Sequence, residues 1–326
     1  MRALVAGAAL AVAWVGGVAV PALALANEAD TPPSARAERC APPAETDSRW
    51  DGLGVLKGGK GYAPTPMGQV HYRMMGPKTG PVLLLLHQTP WSLIEFADIQ
   101  PCLAARGIRT LAVDTPGYGM SDAPDGRPTI QQYAENIVPV LDYLKIRKVV
   151  VAGHHTGASI AAALAAHHPE RVEGVILHGA PNYSDAERAQ RKALPEADMT
   201  LKPDGSHLSA YYAKLYRAQG AYPRNLVTIN WSTLNLFLAG ASDVAHAAVY
   251  DNDMAADLRR IEVPVLVLSD GADALNPIDI RTGGMKTNFR YEKFSDGSAH
   301  MLLVEPTRWS DIAAAFVREA AGKNGR

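Results

Sequence analysis

The 326-residue sequence lacks the features that mark several large classes of protein. Its 32 basic and 33 acidic residues leave a formal net charge of −1, so the charge balance gives no reason to expect a nucleic acid or an acidic membrane surface as partner. No internal repeat is visible, and the only two cysteines, Cys40 and Cys102, do not have metal-ligand spacing. The length and a hydrophobic content of 47% suit one large domain with an insertion, or two small domains.

The N-terminus has the pattern of a secretory signal. Arg2 is followed by an apolar run over residues 3–20, and Ala24-Leu25-Ala26 forms an A-x-A cleavage pattern. We therefore predict a signal peptide over residues 1–26 and a periplasmic or secreted mature protein, with no membrane partner after cleavage. The alternative is an uncleaved membrane anchor, because the apolar run is long for a signal core.

The segment after the signal predicts a flexible arm. Residues 27–50 are rich in Pro, Ala, Glu and Asp and contain few large apolar groups. Cys40 lies in this segment. In an oxidising compartment it could form a disulfide with Cys102, and the sequence leaves the paired and the free state open.

Beyond this arm, strand patterns alternate with helical ones. Residues 69–75 alternate in polarity and end at Gly76, which predicts one strand of a hairpin. Continuous apolar runs are typical of strands that helices cover on both faces. The further predicted strands are Val82–Leu86, Thr110–Val113, Lys148–Ala152, Val172–Leu177, Val265–Leu268 and Arg290–Phe294. The fold class that follows is α/β, with a mostly parallel central sheet and helices on both faces.

Helical spacing fills the intervals between these strands. The predicted helices cover Phe96–Ala105, a segment from the capping residue Thr129 to Leu144, Ala158–His167, and a last helix carrying Trp309 to Ala320. Residues 182–256 differ from the rest, because charged residues become more frequent and aromatic residues cluster. We predict an inserted helical cap there, which leaves residues 51–181 and 257–326 as the core domain.

The segment 149–157, VVVAGHHTG, is the strongest functional signal in the chain. An apolar strand enters Gly153, a second glycine follows at Gly157, and a segment of small residues then begins. This is the pattern of a nucleophile elbow, in which a strained residue sits at the top of a sheet between strand and helix. The glycines suit a turn that leaves no room for Cβ atoms. Serine is usual at the central position, and His155 stands there instead.

Other predicted strand ends carry polar residues as well, at the edge where open α/β sheets have their sites. A bend after Leu86 could present the backbone N–H of Gln88 to an oxyanion, and the Thr156 N–H at the start of a helix could be the second donor. Asp273 follows the strand that ends at Leu268, and His300 follows the one that ends at Phe294.

Five motifs in one order resemble the α/β-hydrolase family, specifically the lid-bearing branch that includes meta-cleavage hydrolases, epoxide hydrolases, haloalkane dehalogenases and esterases. They extend from about residue 69 to residue 320. The motifs are HQTP, DTPGYGMS, GHHTG, PVLVLSDGADALNP and AHMLLVEP. The chain is atypical within this resemblance because it has His155 at the elbow and Gln88 in place of the usual glycine of the oxyanion loop.

The resemblance implies roles for residues at matching positions. Asp273 falls at the position of the triad acid and His300 at that of the triad histidine, in the family's order of nucleophile, acid and histidine. In the family the carboxylate orients the imidazole, which acts as base. Asp270 is the alternative acid. We expect His154 to be a packed, hydrogen-bonded side chain and Asp114 to be loop scaffolding.

His155 leaves several reactions open. It could be a covalent nucleophile, with His300 and Asp273 activating the water that follows, or it could share acid and base roles with His300 without a covalent step. Both versions predict hydrolysis of an ester, a lactone or a carbonyl-adjacent C–C bond in a small, partly hydrophobic molecule. The alternatives are a non-hydrolytic lyase, a cofactor-free oxygenase, or a catalytically dead ligand-binding protein on the same scaffold.

No cofactor or metal is expected from the sequence. A two-histidine, one-carboxylate metal site built from His155, His300 and an acid is the minor alternative, because Asp273 should be occupied in orienting His300. The expected partner is a small-molecule substrate, and no oligomeric state is predicted.

Overall fold

An eight-stranded sheet organises the computed structural model of the chain, which describes residues 58–194, 200–218, 226–238, 244–294 and 301–323. The predicted signal peptide (1–26) and arm (27–50) lie outside these residues. The spatial order is β1-β2-β4-β3-β5-β6-β7-β8. The strands are β1 Lys60–Thr65, β2 Gly68–Met75, β3 Val82–Leu86, β4 Arg109–Val113, β5 Val149–His154, β6 Val172–His178, β7 Val265–Ser269 and β8 Phe289–Lys293.

The sheet is mostly parallel, as predicted. Strand β2 pairs antiparallel with both β1 and β4, and the other neighbours pair in parallel. The carboxyl ends of β3, β5, β6 and β7 therefore meet at one edge, which is where the predicted site residues follow their strands.

Both faces of the sheet are covered. Along β3, Leu84 and Leu86 belong to one apolar cluster and Leu83 and Leu85 to the other, because successive side chains of a strand point to opposite faces. All four leucines are at most 1% exposed. The continuous apolar run in the sequence is thus explained by two buried faces.

The described residues form twelve α-helices. They are α1 Ile99–Ala105, α2 Ile130–Glu135, α3 Ile137–Tyr143, α4 Thr156–His167, α5 Asp185–Lys192, α6 Ser206–Ala218, α7 Leu226–Leu238, α8 Val244–Asp251, α9 Met254–Arg260, α10 Asn276–Gly283, α11 Met301–Val304 and α12 Pro306–Lys323. Helix α4 packs with α2 and α9 on one face of the sheet, and α12 packs with α1 on the other.

Two predicted helices are interrupted. The segment capped by Thr129 has the predicted cap, but it divides into α2 and α3 at Asn136. Pro139 explains the break, because its ring nitrogen cannot donate to the carbonyl of Glu135. The predicted helix Phe96–Ala105 is a short 3₁₀ helix, Leu93–Phe96, followed by α1.

Helices α5 to α9 lie between β6 and β7, in the region predicted as the cap. The cap boundaries at 182 and 256 stay a prediction. Cys102 in α1 is disulfide-bonded, and the sequence contains one other cysteine, Cys40. In the part of the chain that the structure describes, no helix is both long and apolar enough to span a bilayer.

Candidate active site

His155 occupies a sharp turn between β5 and α4. Its backbone has φ +49° and ψ −111°, a conformation that L residues rarely adopt and that costs about 1–3 kcal/mol. A Cβ on Gly153 would lie 2.0 Å from the carbonyl oxygen of Gly157, and a Cβ on Gly157 would lie 2.0 Å from that of Leu86. The two glycines therefore allow the close backbone approach that the elbow pattern requires.

Asp273 pairs directly with His155. The His155 Nε2 and Asp273 Oδ2 atoms are 2.6 Å apart, and the other carboxylate oxygen accepts the backbone N–H of Leu275 at 2.8 Å. The Asp273 side chain is 6% exposed, whereas that of His155 is 28% exposed. The sequence predicts that Asp273 pairs with His300. His300 lies outside the described residues, so that pairing stays a prediction.

The pair shifts both pKa values toward the charged forms. Burial lowers the pKa of His155, but the charge and hydrogen bond of Asp273 outweigh it, so the pKa lies above its usual 6.5. Burial raises the pKa of Asp273, but the His155 contact outweighs it and the pKa falls well below its usual range. Asp273 is therefore an ionised acceptor, which assigns the proton to Nε2 of His155 and leaves Nδ1 as the basic nitrogen.

Gly179, directly after β6, makes room for this pair. Its φ is +62°, and a Cβ there would lie 2.4 Å from Cδ2 and 2.7 Å from Nε2 of His155. Any larger residue would displace the imidazole from Asp273. The sequence reasoning did not identify this glycine.

A second imidazole–carboxylate pair lies behind His155. The rings of His154 and His155 are 4.4 Å apart between centroids, and His154 Nδ1 lies 2.7 Å from Oε1 of Glu95. His154 is 1% exposed and Glu95 is fully buried, so the expectation of a packed, hydrogen-bonded His154 agrees with its surroundings.

A third imidazole, that of His178, lies next to His154. The ring of His178 is 4.6 Å from that of His154, and its Nε2 is 3.1 Å from Oδ1 of Asp270. Trp309 donates its indole N–H to Nδ1 of His178 at 3.2 Å. That nitrogen holds a lone pair in the neutral ring, and the charge and hydrogen bond of Asp270 outweigh burial, so the pKa of His178 lies above its usual 6.5. Asp270, the alternative acid, thus pairs with His178 and not with His155.

The predicted oxyanion donor of Gln88 has another partner. Its backbone N–H donates to Oε2 of Glu95 at 3.0 Å, and its side-chain amide donates to Oε1 at 2.7 Å. In this arrangement the N–H is engaged by a buried carboxylate and is not available to an oxyanion.

Thr156 begins α4 as expected, so its N–H is one of the first four that lack an acceptor within the helix. Its hydroxyl lies 2.7 Å from that of Thr89.

Other polar residues of the motifs have structural contacts. The Asp114 carboxylate accepts the backbone N–H groups of Leu93 at 2.7 Å and Met120 at 2.9 Å. His87 Nε2 accepts the Thr115 N–H at 2.9 Å, so His87 ties two loops together. These contacts support the interpretation of Asp114 as scaffolding.

Three ligand-type side chains come close enough to be considered for a metal. One nitrogen or oxygen from each of His154, His155 and Asp273 lies within 4.8 Å of the others. The 2.6 Å between His155 and Asp273 is shorter than the roughly 3.3 Å that separates two ligands of a tetrahedral ion bound at about 2.0 Å. This pair therefore fits a direct hydrogen bond better than shared coordination.

Comparisons with known proteins identify the fold family. The chain is 26% identical over 236 residues to a bifunctional esterase/perhydrolase of Acinetobacter calcoaceticus, a match that covers 68% of this chain and 84% of the relative. It is 35% identical over 127 residues to rat bifunctional epoxide hydrolase 2, covering 37% of this chain and 22% of that protein.

A solved hydrolase structure from Pseudomonas aeruginosa superposes with a TM-score of 0.65 at 24% identity, over 80% of this chain and 99% of that one. The family model described as the alpha/beta hydrolase fold matches residues 81–306. The chain therefore belongs to the α/β-hydrolase fold family and is a hydrolase-type enzyme of that superfamily.

Proposed function

We propose that this protein hydrolyses an ester, a lactone or a carbonyl-adjacent C–C bond of a small, partly hydrophobic molecule, with His155 as general base. The observation that carries the proposal is the 2.6 Å contact between His155 Nε2 and the ionised Asp273. A carboxylate that orients an imidazole and stabilises its protonated form is the arrangement that general-base catalysis requires. Here the imidazole stands at the elbow itself.

The proposed reaction uses Nδ1 of His155. This nitrogen takes a proton from water while the water oxygen bonds to the carbonyl carbon, and Asp273 stabilises the resulting imidazolium. The imidazolium then returns the proton to the leaving group as its bond to the carbonyl carbon breaks. Thr156 at the N-terminus of α4 supplies a backbone N–H and the positive end of the helix dipole for the developing oxyanion. His300 retains the proposed role of second acid or base.

A covalent version would use the same nitrogen as a nucleophile. Nδ1 would attack the carbonyl carbon, expel the leaving group and form an acyl-imidazole that water then hydrolyses. Rapid-quench mass spectrometry with an activated ester separates the two versions. An adduct on His155 supports the covalent route, and its absence during turnover supports the general-base route.

We also propose that the protein is exported. The A-x-A pattern after an apolar N-terminal run supports export, and so does the disulfide-bonded state of Cys102. N-terminal sequencing of periplasmic and cytosolic fractions tests this. A mature chain that begins after Ala26 in the periplasm is expected, and a cytosolic chain that retains residues 1–26 would contradict it.

The catalytic proposal is tested by measuring kcat/KM on a panel of esters and lactones with the wild type, His155→Ala and His168→Ala. His155→Ala should lose at least about 100-fold in kcat/KM, the usual range for a general base. His168→Ala is the matched control, because His168 has a similar exposure of 27% at the opposite end of α4 and should keep its activity. Full activity in His155→Ala would refute a role for that residue. Tight ligand binding without turnover of any ester or lactone would favour the ligand-binding alternative.

One observation favours a second candidate, a lyase or another proton-transfer reaction. The Gln88 N–H is engaged by Glu95, which leaves one backbone donor fewer for a tetrahedral oxyanion. Proton abstraction by His155 needs fewer such donors. Incorporation of ¹⁸O from labelled water into the product supports hydrolysis, and turnover without incorporation supports the lyase.

A further inference from the structure

Two threonine hydroxyls lie within hydrogen-bond distance of each other at the elbow. Thr156 follows His155 at the start of α4, and Thr89 lies in the loop after β3. Their Oγ1 atoms are 2.7 Å apart, and the exposed fractions of Thr156 and Thr89 are 3% and 8%. We propose that this hydroxyl pair donates a hydrogen bond to the oxyanion of the reaction, so that Thr89 and Thr156 are catalytic residues. The inference rests on the proposed function.

The pair has one hydroxyl hydrogen more than its internal bond uses. A threonine hydroxyl has one hydrogen to donate and two lone pairs that accept. The bond between Thr89 and Thr156 uses one of the two hydrogens. Within the part of the chain that the structure describes, neither hydroxyl has a second hydrogen-bond partner. A substrate oxygen that gains negative charge can accept the remaining hydrogen.

Close backbone packing brings the two threonines together. A Cβ on Gly157 would lie 2.0 Å from the carbonyl oxygen of Leu86, so the start of α4 packs directly against the end of β3. Thr89 lies in the turn that follows, which the Trp91 N–H closes by donating to the Gln88 carbonyl at 3.1 Å. The pairing of the hydroxyls therefore depends on the same glycine that permits the elbow.

The loop that carries Thr89 is held in place by Glu95. The backbone N–H and the side-chain amide of Gln88 both donate to this carboxyl group, at 3.0 Å and 2.7 Å. These contacts engage the Gln88 N–H and fix the loop immediately before Thr89. A donor that its surroundings hold in position costs no reorganisation when charge develops. The hydroxyl pair thus supplies a donor in place of the one that Gln88 directs to Glu95.

The hydroxyl pair and Asp273 approach the elbow from different sides. Thr89 follows β3, which neighbours β5 on one side, and Asp273 follows β7, which lies beyond β6 on the other. Asp273 engages Nε2 of His155, which leaves Nδ1 as the basic nitrogen. A base and an oxyanion donor must both reach one carbonyl group. The strand order keeps the carboxylate that orients the base apart from the hydroxyls that bind the oxyanion.

The proposed step is a hydrogen bond and no proton transfer. As the water oxygen bonds to the carbonyl carbon, the π electron pair of the C=O bond moves to the carbonyl oxygen, and the water proton goes to His155. The threonine hydrogen stays on its own oxygen and donates to the new oxyanion. The Thr156 hydroxyl oxygen is three bonds from the Thr156 nitrogen, roughly 3–4 Å away, so both groups can reach one oxygen atom.

The test compares two ketones by NMR titration of the purified protein. Butyl trifluoromethyl ketone adds water at its carbonyl carbon and takes a tetrahedral form, whereas butyl methyl ketone stays planar. The double variant Thr89→Val/Thr156→Val keeps the side-chain shape and removes both hydroxyls. We expect its dissociation constant for the trifluoromethyl ketone to rise at least about tenfold, and that for the methyl ketone to change less than about threefold. Unchanged binding of the trifluoromethyl ketone would overturn the proposal.

Serine and alanine variants repeat the comparison without the methyl groups, and they decide the matter if the valine variant does not fold. Thr89→Ser/Thr156→Ser keeps both hydroxyls and should bind the trifluoromethyl ketone at least about tenfold more tightly than Thr89→Ala/Thr156→Ala. Equal binding by these two variants would overturn the proposal. So would a wild type that binds the trifluoromethyl ketone no more tightly than the methyl ketone.

Thr110→Val is the matched control for the loss of a buried hydroxyl. Thr110 is fully buried in β4, and its hydroxyl donates to the Met75 carbonyl at 3.2 Å. This variant should lower stability, because it removes a buried hydrogen bond, and should leave both dissociation constants unchanged.

Turnover provides an independent readout. In Thr89→Val/Thr156→Val, kcat should fall at least about tenfold at a nearly unchanged KM, because the hydroxyl binds the transition state more strongly than the substrate. An unchanged kcat would overturn the proposal. A wild type that hydrolyses no ester or lactone would refute the proposed function instead. The ketone comparison needs no turnover and would still show whether the hydroxyls bind a tetrahedral centre.

Discussion

Replacing Asp273 by asparagine keeps the size of the partner of His155 and removes its charge. In the wild-type protein the carboxylate holds the pKa of His155 above 6.5 against the effect of burial. In Asp273→Asn the lowering effect of burial loses its largest counterweight, while the charges of Glu95 and Asp279 still raise the pKa. The pKa of His155 should therefore fall.

Two opposing effects on activity follow from this change. The lower pKa makes more of the imidazole neutral, and therefore basic, at acidic pH. The imidazolium that forms in the transition state loses the stabilisation of a buried, 2.6 Å charge-assisted hydrogen bond. An amide can also hold the ring in the wrong tautomer. We expect the second effect to dominate, with kcat lower by about 10²–10⁴ at its pH optimum.

The assay is the pH dependence of kcat/KM between pH 4.5 and 9 on the best substrate of the panel. In the wild-type protein the rate should rise with pH through an apparent pKa above 6.5, because His155 must be neutral to accept a proton. In Asp273→Asn this rise in kcat/KM, the acidic limb of the profile, should move to a lower pH. The plateau of kcat/KM above it should fall. Asp125 is an exposed acid on a loop, and the control variant Asp125→Asn should change neither the position of the acidic limb nor the height of the plateau. An unchanged limb, or a limb that moves to higher pH, would refute the assigned roles.

Three further predictions concern the groups that support the pair. Gly179→Ala should lower kcat at least about tenfold, since its Cβ would lie 2.4 Å from His155, whereas Gly126→Ala has a similar positive φ with open space around it and should keep its kcat. Burial raises the pKa of Asp279 from 3.8 to about 7, so this carboxyl ionises in the unfolded state before it does in the folded one. The wild-type protein should therefore lose stability as the pH rises from about 4 to 7, measured as a falling melting temperature. Asp279→Asn should remove this part of the pH dependence, and an unaltered slope would contradict the prediction. Cys102→Ser should lower the free energy of unfolding by about 2–5 kcal/mol in a denaturant titration, and a reducing agent should then have no further effect; equal stability of variant and wild type would contradict a structural disulfide.

Much of the fold could be predicted from short apolar runs. Val82–Leu86 forms a strand with the predicted bounds, and the other predicted strands differ by one or two residues at one or both ends. Such runs are informative because a strand buried on both faces has no polar position to obscure the pattern. The helix after Thr129 was predicted less well, since its apolar spacing continues through Pro139 while its hydrogen bonds do not.

The elbow could be located from sequence, but its pairing could not. Gly153 and Gly157 flank His155 for a local steric reason, so the pattern is visible along the chain. The contact between His155 and Asp273 joins residues 118 positions apart and depends on how two loops pack. The family resemblance pointed to Asp273 and paired it with His300, which lies outside the described residues; it gave no indication of the contact with His155.

Glu95 and Gly179 were not predicted as site residues, although the sequence contains a weak indication of each. Glu95 is a lone acid within the apolar segment LIEF, and a buried carboxylate of this kind needs a polar partner. Gly179 stands directly after an apolar strand run, where a glycine often marks a close approach of other groups. Neither signal identifies the partner, because the partner comes from a distant part of the chain.

The assignment of His155 as a base through Nδ1 is tested most directly by ¹⁵N NMR of the histidine side chains, with the His155 signals identified from their absence in His155→Ala. The expected spectrum at high pH shows His155 as the neutral tautomer with its proton on Nε2, and on acidification the ring takes its second proton with a pKa above 6.5. A neutral tautomer with the proton on Nδ1, or a pKa at or below 6.5, would contradict the pairing with Asp273 and the proposed mechanism.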